Sequence, residues 1–352
     1  MKLWPSVRYA YRPKKPILFF RLVDGLFRAK ILRQVRLRYV DMALDFSCNM
    51  HCEHCFATAL KPSDSRKLIS MSLEDYRRVA EEAMAMGVLN FSFQGGEPLL
   101  VKNLSEYIET VIPNRNVISV TTNGSLLNQE KIKELKNHGV DVLTISVDSA
   151  VPDEHDGFRN FPGAHEKAMN GIHEAIAQGL HVTIGTTLSH DNISAKGISD
   201  LIKFAEENRI ILCFGFATPV GNWANQDQIL LTEDDVKWVR QLEKRSTYIR
   251  TDFQGNLHSR GCGAVKEILY LTPYGDVLPC PFIHISIGNV MKESLSSIRN
   301  RALTVPEFGK YAPKCLCAED LDFIDKYIKP ACSKGLADGF EVFGWNKPLV
   351  YF

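Results

Sequence analysis

The chain of 352 residues lacks any long apolar run, and this absence excludes two classes of protein. No stretch approaches the ~20 apolar residues that a transmembrane helix needs. The apolar run at Ile17–Phe20 has basic neighbours and is shorter than a signal-peptide core of ~7–15 residues. The sequence therefore predicts a cytoplasmic protein.

The sequence also has almost no net charge, no short repeat and no low-complexity tract. Its 42 Lys/Arg and 41 Asp/Glu residues give a formal charge of +1, so we expect no nucleic-acid partner. A composition of 45% hydrophobic and 24% charged residues is typical of globular proteins. The length allows two domains, or one large α/β domain with an appendage.

Strand-like and helix-like segments alternate through most of the chain. The predicted strands are Val40–Phe46, Val88–Gln94, Val117–Thr122, Val142–Val147, His181–Leu188 and Ile210–Ala217. The predicted helices are Leu73–Met86, Asn128–His138, Ala164–Gln178, Ala195–Asn208 and Thr232–Lys244. Six strand–helix units imply a parallel sheet and are enough for a partial (β/α)6 barrel, whose reactive face lies at the C-terminal strand ends.

Three parts are expected along the chain. Residues 1–38 are a basic amphipathic segment, residues 39–246 form the barrel, and residues 247–352 form a cysteine- and glycine-punctuated domain. The alternation stops near Asn222, and the boundary is expected near Thr247–His258.

The basic segment Met1–Arg38 contains eleven Lys/Arg residues and one acidic residue, so it carries +10 and the remainder carries −9. Pro16–Val35 has the spacing of an amphipathic helix. Its apolar face contains Phe19, Leu22, Val23, Leu26 and Phe27, with Arg21, Arg28 and Arg36 opposite. Two interpretations stay open: a cap on the barrel floor, or a helix on an anionic membrane surface, which would favour a lipid or lipid-linked substrate.

Three of the nine cysteines follow the first predicted strand in the pattern Cys48-x3-Cys52-x2-Cys55. In a reducing compartment such cysteines are expected to bind metal or pack in the core. Three thiolates on one loop can hold a [4Fe–4S] cluster and leave one iron open to a ligand. A zinc site with His51 or His54 is the alternative, although closed zinc sites usually use C-x2-C pairs.

Short polar motifs follow the next three strands. The first is Gln94-Gly-Gly-Glu-Pro98, in which two glycines allow close approach to a ligand. The second is Thr121-Thr-Asn-Gly124, and the third is Ser146-Val-Asp148 with His155 and Arg159 beyond it. The structural alternatives are a simple turn, a loop cap by the serine and a surface salt bridge for the arginine.

Together these motifs resemble the radical S-adenosylmethionine (radical SAM) superfamily, over about Val40–Lys334. The resemblance implies that S-adenosylmethionine (SAM) binds the open iron and accepts one electron from a reductant such as flavodoxin or ferredoxin. A 5′-deoxyadenosyl radical then abstracts a hydrogen atom from the substrate. The resemblance implies cofactor contacts from His54, Gly95, Gly96, Glu97, Thr122, Asn123, Ser146 and Arg159. Two departures are His54, where the family usually has an aromatic residue, and Ser149, where it has glycine.

Five cysteines lie in the C-terminal part: Cys262, Cys280, Cys315, Cys317 and Cys332. A hairpin predicted around Pro273–Asp276, with Gly275 at its turn, brings the first two together. Their spacing resembles the opening of SPASM and "twitch" extensions, and five thiolates support one auxiliary [4Fe–4S] cluster in the shorter twitch arrangement. Which of the last three are ligands stays open, and zinc is the alternative.

Cys213 lies inside the sixth predicted strand. It is either a buried small residue or a thiol that donates a hydrogen atom to a substrate radical, as in some epimerising relatives. We therefore predict a radical SAM enzyme with a C-terminal SPASM/twitch-like domain, acting on a peptide or on a small molecule such as a sugar or lipid. The alternative is a non-catalytic iron–sulfur electron-transfer or scaffold protein, which would never cleave SAM.

Overall fold

The computed structural model of the chain describes residues 15–62, 68–252 and 261–346. The first fourteen residues of the basic segment and residues 253–258 of the expected domain boundary lie outside these ranges. The strands within them are β1 Tyr39–Ala43, β2 Asn90–Gln94, β3 Val117–Thr122, β4 Val142–Ser146, β5 His181–Leu188, β6 Ile211–Phe216, β7 Ile249–Thr251, β8 Ile268–Leu271, β9 Asp276–Leu278, β10 Ile285–Ser286, β11 Gly288–Asn289 and β12 Ala337–Asp338.

Helices connect most of these strands. They are α1 Pro16–Lys30, α2 Leu73–Ala85, α3 Leu104–Thr110, α4 Gln129–Asn137, α5 Pro152–Arg159, α6 Ala164–Ala177, α7 Lys196–Asn208, α8 Glu233–Arg245, α9 Leu295–Ala302, α10 Pro306–Gly309, α11 Leu321–Phe323, α12 Lys329–Cys332 and α13 Gly339–Val342. Short 3-10 turns occur at Phe56–Leu60, Pro98–Leu100, Pro113–Arg115, Gly221–Trp223 and Asp227–Ile229, and a π-helical turn at Ile324–Ile328.

One ten-stranded sheet forms the body of the fold, in the order β11-β9-β8-β1-β2-β3-β4-β5-β6-β7. All neighbours from β8 to β7 are parallel, whereas β9 is antiparallel to both β8 and β11. In the part of the chain that the structure describes, the two outer strands do not pair with each other, so the barrel is open. The predicted α/β class and partial barrel are confirmed.

The burial of the strand residues identifies the inside of the barrel. On β5, Val182, Ile184 and Leu188 are buried among the helices, whereas Thr183 and Gly185 on the opposite face are partly exposed. β6 shows the same alternation. Successive strand residues point to opposite faces, so the partly exposed residues line the lumen of the barrel.

The predicted residues at the helix ends are confirmed for the helices that connect neighbouring strands. Ser72 begins α2 with a capping box, in which its side chain and that of Asp75 bond each other's backbone N–H groups. Gly87, Gly139 and Gly179 follow α2, α4 and α6 with φ of 110°, 91° and 76°. Glycine tolerates this left-handed conformation, so each helix stops at the base of the next strand.

Helix α1 lies across the N-terminal ends of the strands. Lys15 pairs with the Asp141 carboxylate, and Arg21 donates to the carbonyl oxygen of Val88 at 2.8 Å. Leu18 and Ala29 are buried on the side of the helix that meets the barrel, whereas most of the predicted apolar face points outward. Exposed fractions of 50–55% are found for four of its residues, Phe19, Val23, Leu26 and Phe27. The helix ends at Lys30, five residues before the predicted end.

The C-terminal part pairs β10 with β12 in a small two-stranded parallel sheet, and its other described strands join the barrel. Strands β7, β8, β9 and β11 all lie beyond residue 247, and they extend the barrel sheet at both edges. β8 and β9 form the predicted hairpin, with Gly275 at φ 83°. The division at residue 247 stays a prediction, because the sheet continues across it. Among the described helices, none has the length and apolarity needed to span a bilayer.

Candidate iron–sulfur and cofactor site

The three cysteines of the first motif lie together on the loop that follows β1, at the C-terminal edge of the parallel strands. Cys52 is buried with Met50 and Ala164, and both Cys48 and Cys55 pack against this group. Burial raises the pKa of the Cys48 and Cys52 thiols, although the Arg159 charge opposes this shift at Cys52. Iron must therefore compete with a proton for these sulfurs.

Two buried or nearly buried side chains donate to the sulfur atoms of this loop. The Asn123 amide lies 3.9 Å from Cys48 Sγ, and the Arg159 guanidinium lies 3.7 Å from Cys52 Sγ. N–H donors at these distances stabilise the thiolate form that binds iron and tune the bound metal. These donors therefore favour the thiolate form of the cysteines, which a [4Fe–4S] cluster requires of its ligands.

The Arg159 contact is part of a buried ion-pair network. Arg159 Nε donates to Asp148 at 2.6 Å, and the backbone N–H of Thr187 donates to the same carboxylate at 3.1 Å. Although burial favours a protonated Asp148, the arginine charge lowers the pKa of this carboxyl group. Only 8% of Arg159 is exposed, so its salt bridge is internal rather than on the surface.

The two glycines after β2 let the second loop lie directly against the cysteine loop. The N–H of Gly96 donates to Asp45 O at 2.9 Å, and the N–H of Glu97 donates to Ser47 O at 2.8 Å. A Cβ atom would lie 2.2 Å from Asp45 O at Gly95 and 2.0 Å from Ser47 O at Gly96. Backbone fills the space beside these glycines, so any larger residue would push the two loops apart.

The Glu97 carboxylate joins the loops after β2 and β3. It accepts from Thr122 Oγ1 at 2.7 Å, from the N–H of Asn123 at 2.8 Å and from the N–H of Leu99 at 3.1 Å. Only 2% of Glu97 is exposed. In this structure, therefore, Glu97 and Thr122 position Asn123, which in turn contacts the Cys48 sulfur.

His54 lies in an aromatic group next to the cysteine loop. Its ring stacks on Phe158 at a centroid distance of 4.5 Å and lies 5.8 Å from Trp223. Burial lowers the pKa of His54 to about 3, so the ring is neutral. Nδ1 of His54 and Nε1 of Trp223 are buried and have no hydrogen-bond partner among the described residues. These nitrogens fit a ligand that supplies polar atoms at this wall, as an adenine would.

Asn222 was missed by the sequence analysis. Its backbone N–H donates to Cys55 O at 3.1 Å, and its side chain donates to Cys52 O at 2.9 Å. Gly221 is required beside it, because a Cβ there would lie 2.1 Å from Cys55 O. The available signal was the Gly-Asn pair shortly after the sixth predicted strand, at the reactive edge of the barrel.

Ser146 and Cys213 both face the lumen. Ser146 at the end of β4 pairs with Gly185, which pairs in turn with Cys213 on β6. The Cys213 thiol donates to Asp252 Oδ1 at 3.5 Å. Enclosure within the barrel and the Asp252 carboxylate raise the pKa of this thiol, so it carries its proton.

Four of the five C-terminal cysteines gather in one place. Cys315 Sγ and Cys317 Sγ are 3.5 Å apart. Hydrogen bonding to Cys280 and Cys315 raises the pKa of Cys317. Burial, Cys315 and Cys280 together raise that of Cys262 to about 12. These cysteines are neighbours, but their sulfurs are not arranged around one metal ion. In residues 15–62, 68–252 and 261–346, no group of three or more His, Cys, Asp or Glu side chains has the geometry to hold a single metal ion.

Cys332 lies apart from this group. Its thiol donates to the carbonyl oxygen of Pro219, after β6, at 3.3 Å. Burial alone accounts for the raised pKa of this thiol, without a contribution from another cysteine. The structure therefore brings together Cys262, Cys280, Cys315 and Cys317, and not the fifth predicted candidate.

Two family models match the chain. The radical SAM superfamily model matches residues 46–205, and the SPASM iron–sulfur cluster-binding domain matches residues 262–319. Together they cover more than half of the sequence. The chain belongs to the radical SAM superfamily. The radical SAM domain binds a [4Fe–4S] cluster and SAM, and the SPASM domain binds auxiliary iron–sulfur clusters.

Similar curated proteins include a bacteriocin biosynthesis protein and heme synthases. The antilisterial bacteriocin subtilosin biosynthesis protein AlbA of Bacillus subtilis is 24% identical over 301 residues, which are 79% of this chain and 64% of AlbA. The AdoMet-dependent heme synthase of Nitratidesulfovibrio vulgaris is 24% identical over 303 residues, 76% of this chain and 81% of the synthase. The chain thus spans slightly less than two thirds of the length of AlbA.

Solved structures share the fold. Streptococcus suis SuiB bound to the precursor peptide SuiA has a TM-score of 0.60 at 15% identity, over 82% of this chain and 69% of SuiB. The anSMEcpe protein with bound AdoMet has a TM-score of 0.57 at 18% identity, over 75% of this chain and 82% of that chain. At these identities the similarity establishes the fold alone.

Proposed function

We propose that the protein is an enzyme that cleaves SAM reductively and abstracts a hydrogen atom from a peptide or small molecule held in the barrel. The observation that carries this proposal is the meeting of Cys48, Cys52 and Cys55 at the strand ends, with Asn123 and Arg159 directed at their sulfurs. Bound there, the cluster and SAM would supply a 5′-deoxyadenosyl radical after one-electron reduction by a flavodoxin or ferredoxin.

The residues of the chain have separate tasks in this scheme. The three thiolates hold the cluster, and Gly95 and Gly96 keep the neighbouring loop close to it. The neutral ring of His54 covers one side of the site and limits access of water, which would quench a radical. Cys213 faces the same lumen as a protonated thiol, which is the form that can donate a hydrogen atom.

A peptide is the substrate class that the relatives support best. AlbA is a bacteriocin biosynthesis protein, and SuiB has been crystallised with a precursor peptide. The heme synthases among the relatives support a small-molecule substrate as the second candidate. Both groups are compatible with the partly exposed lumen that β5 and β6 line.

We also propose that α1 attaches the protein to an anionic membrane surface. The helix belongs to a segment of charge +10, and its exposed apolar residues, Phe19 and Phe27 among them, face away from the barrel. Apolar burial and attraction to anionic lipids act together in such helices. The bound barrel would then expose its reactive edge on the side opposite the membrane.

Cleavage of SAM tests the proposed activity. Anaerobically reconstituted and reduced protein should produce 5′-deoxyadenosine and methionine. The triple variant Cys48→Ala/Cys52→Ala/Cys55→Ala should produce neither, because no ligand for the first cluster remains. Iron bound at the four C-terminal cysteines is the control for folding of that variant. Cofactor cleavage by the iron-containing triple variant would refute the assignment of the site.

A further inference from the structure

The lumen of the barrel is polar and open below the cysteine loop. In (β/α)8 barrels this space is usually filled by packed, branched side chains. Here its lining is made of small or polar residues that are partly exposed: Thr121, Thr144, Ser146, Thr183, Gly185, Cys213 and Gly215. The barrel therefore contains room for part of a ligand next to the proposed radical site.

Two carboxyl groups face this lumen, one from β1 and one from the end of β7. Asp41 points inward from the middle of β1 and is only 4% exposed. Asp252, directly after β7, is exposed to the lumen, where one of its oxygens accepts from the Cys213 thiol and the other lies 3.9 Å from a Cβ built on Gly215. Burial in the first place, and the charge of Asp252 in addition, raise the pKa of Asp41 to about 8.

No cation of the described chain compensates these carboxyl groups. Asp41 is hydrogen-bonded to neutral side chains only, those of Tyr39, Ser92 and Gln94. Arg250 lies beside Cys213 in the strand pairing, yet it forms no ion pair with either carboxylate in the described ranges. Without a cation these enclosed carboxyl groups favour their protonated forms, and a positively charged ligand would stabilise the carboxylates.

The hydroxyl of Tyr270, next to Asp41, lacks a hydrogen-bond partner among the described residues. Tyr270 of β8 is the strand partner of Asp41, so both side chains point into the lumen. The Tyr270 side chain is fully buried. The ring packs edge-on against Phe56 at 6.1 Å, and Phe56 directly follows Cys55. The Tyr270 hydroxyl therefore lies between Asp41 and the cysteine loop.

We propose that the part of the lumen between Asp41 and Asp252 binds a positively charged nitrogen group of the substrate, an alkylammonium or a guanidinium. Asp41 and Asp252 pair with the cation, and the Tyr270 hydroxyl completes the polar contacts. Cys213 is then adjacent to the bound group, where its thiol would donate a hydrogen atom to a radical on that part of the substrate. The inference rests on the proposed function and specifies its substrate class: the part of the substrate that enters the barrel is cationic.

Butylammonium is a suitable probe because it carries the charge without the rest of the substrate. Butanol has the same chain and no charge. Ligand-observed NMR on the reconstituted enzyme should detect binding of butylammonium and much weaker binding of butanol. Asp41→Asn and Asp252→Asn should each weaken butylammonium binding by at least about tenfold, since each loses a charged partner. Asp191→Asn, at an exposed position away from the lumen, is the matched control.

A second measurement needs no variant. Binding of butylammonium to the wild-type protein should strengthen between about pH 6 and pH 9, because the carboxyl groups must lose their protons to pair with the amine, and binding of butanol should not change. Equal binding of the amine and the alcohol, or unchanged amine binding by both Asn variants, would overturn the proposal. Because SAM can be cleaved without substrate, continued 5′-deoxyadenosine production by the Asn variants separates this failure from a failure of the proposed function.

Discussion

At the scale of single residues, Arg159 does more than the sequence indicated. The resemblance implied a cofactor contact for it, whereas the structure pairs it with Asp148 and directs it at Cys52 Sγ. A buried cation next to a cluster ligand favours the more negative, reduced state of the cluster. Arg159 is therefore expected to set the reduction potential of the first cluster.

Arg159→Gln tests this role. The first cluster should be reduced at a more negative potential, because the stabilising cation is absent. Loss of the buried ion pair should also lower the free energy of unfolding by about 3–5 kcal/mol. The potential is measured by EPR-monitored redox titration, with the auxiliary cluster as the internal control. An unchanged potential in a variant with full iron content would mean that Arg159 is only a structural residue.

The sequence identified the sulfur ligands but not the residues that hold their loop. Binding of a cluster requires the cysteine spacing, and close contact between two loops requires the glycine pair. Cys48 and Gly95 could therefore be predicted. Asn222 and Phe158 contact the loop through backbone oxygens and ring faces, over more than 100 residues of sequence. Apart from the Gly-Asn pair, such contacts leave no local pattern, because many strand ends can supply them once the fold is formed.

At the scale of elements, periodicity predicted the strands well and the orientation of α1 less well. The first six strands have the predicted order, and the alternating burial of β5 and β6 agrees with an open barrel. The apolar spacing of Pro16–Val35 predicts a helix, but not which face meets the protein. Lys15 and Arg21 decide this through carbonyl and carboxylate partners at the strand bases, so the apolar face remains outside.

The exposed face of α1 leads to a membrane-binding prediction. Phe19→Ser/Phe27→Ser should abolish co-sedimentation with phosphatidylserine-containing vesicles and leave the unfolding free energy nearly unchanged, since both rings are about half exposed. Binding of the wild type should weaken with salt, because each basic residue near such a surface contributes on the order of 1 kcal/mol. Co-sedimentation at low and high salt provides the measurement.

Leu321→Ser is the matched control, because Leu321 is 62% exposed and lies far from α1 in sequence. It should bind vesicles as the wild type does. Equal sedimentation of the wild type with neutral and anionic lipid would remove the case for membrane attachment.

At the scale of the whole molecule, two cysteine groups imply two cubane clusters. The wild type should contain about eight iron atoms per chain, four for each cluster. Cys280→Ala should reduce iron toward about four, whereas Cys332→Ala should retain about eight, because Cys332 is bonded to Pro219 O instead of another thiol. Iron and zinc analysis checks both. Twelve irons, or zinc at the four-cysteine group, would contradict this assignment.

The division of the molecule was harder to predict than its cofactors. Cysteine spacing marked the start of the C-terminal region, and the match to the iron–sulfur domain begins at residue 262. The strands beyond residue 247 nevertheless complete the barrel sheet, because its outer edges need partners for their N–H and C=O groups. Strands of two to four residues carry too little pattern to predict such pairing.

The most direct measurement is the EPR spectrum of the reduced protein before and after addition of SAM. We expect SAM to shift the g values of one of two cluster signals, since only the cluster on Cys48, Cys52 and Cys55 has an iron without a protein ligand. The triple alanine variant should retain the other signal, and its spectrum should not change when SAM is added. A fully iron-loaded wild-type protein whose spectrum does not change with SAM would contradict the proposal that this site cleaves the cofactor.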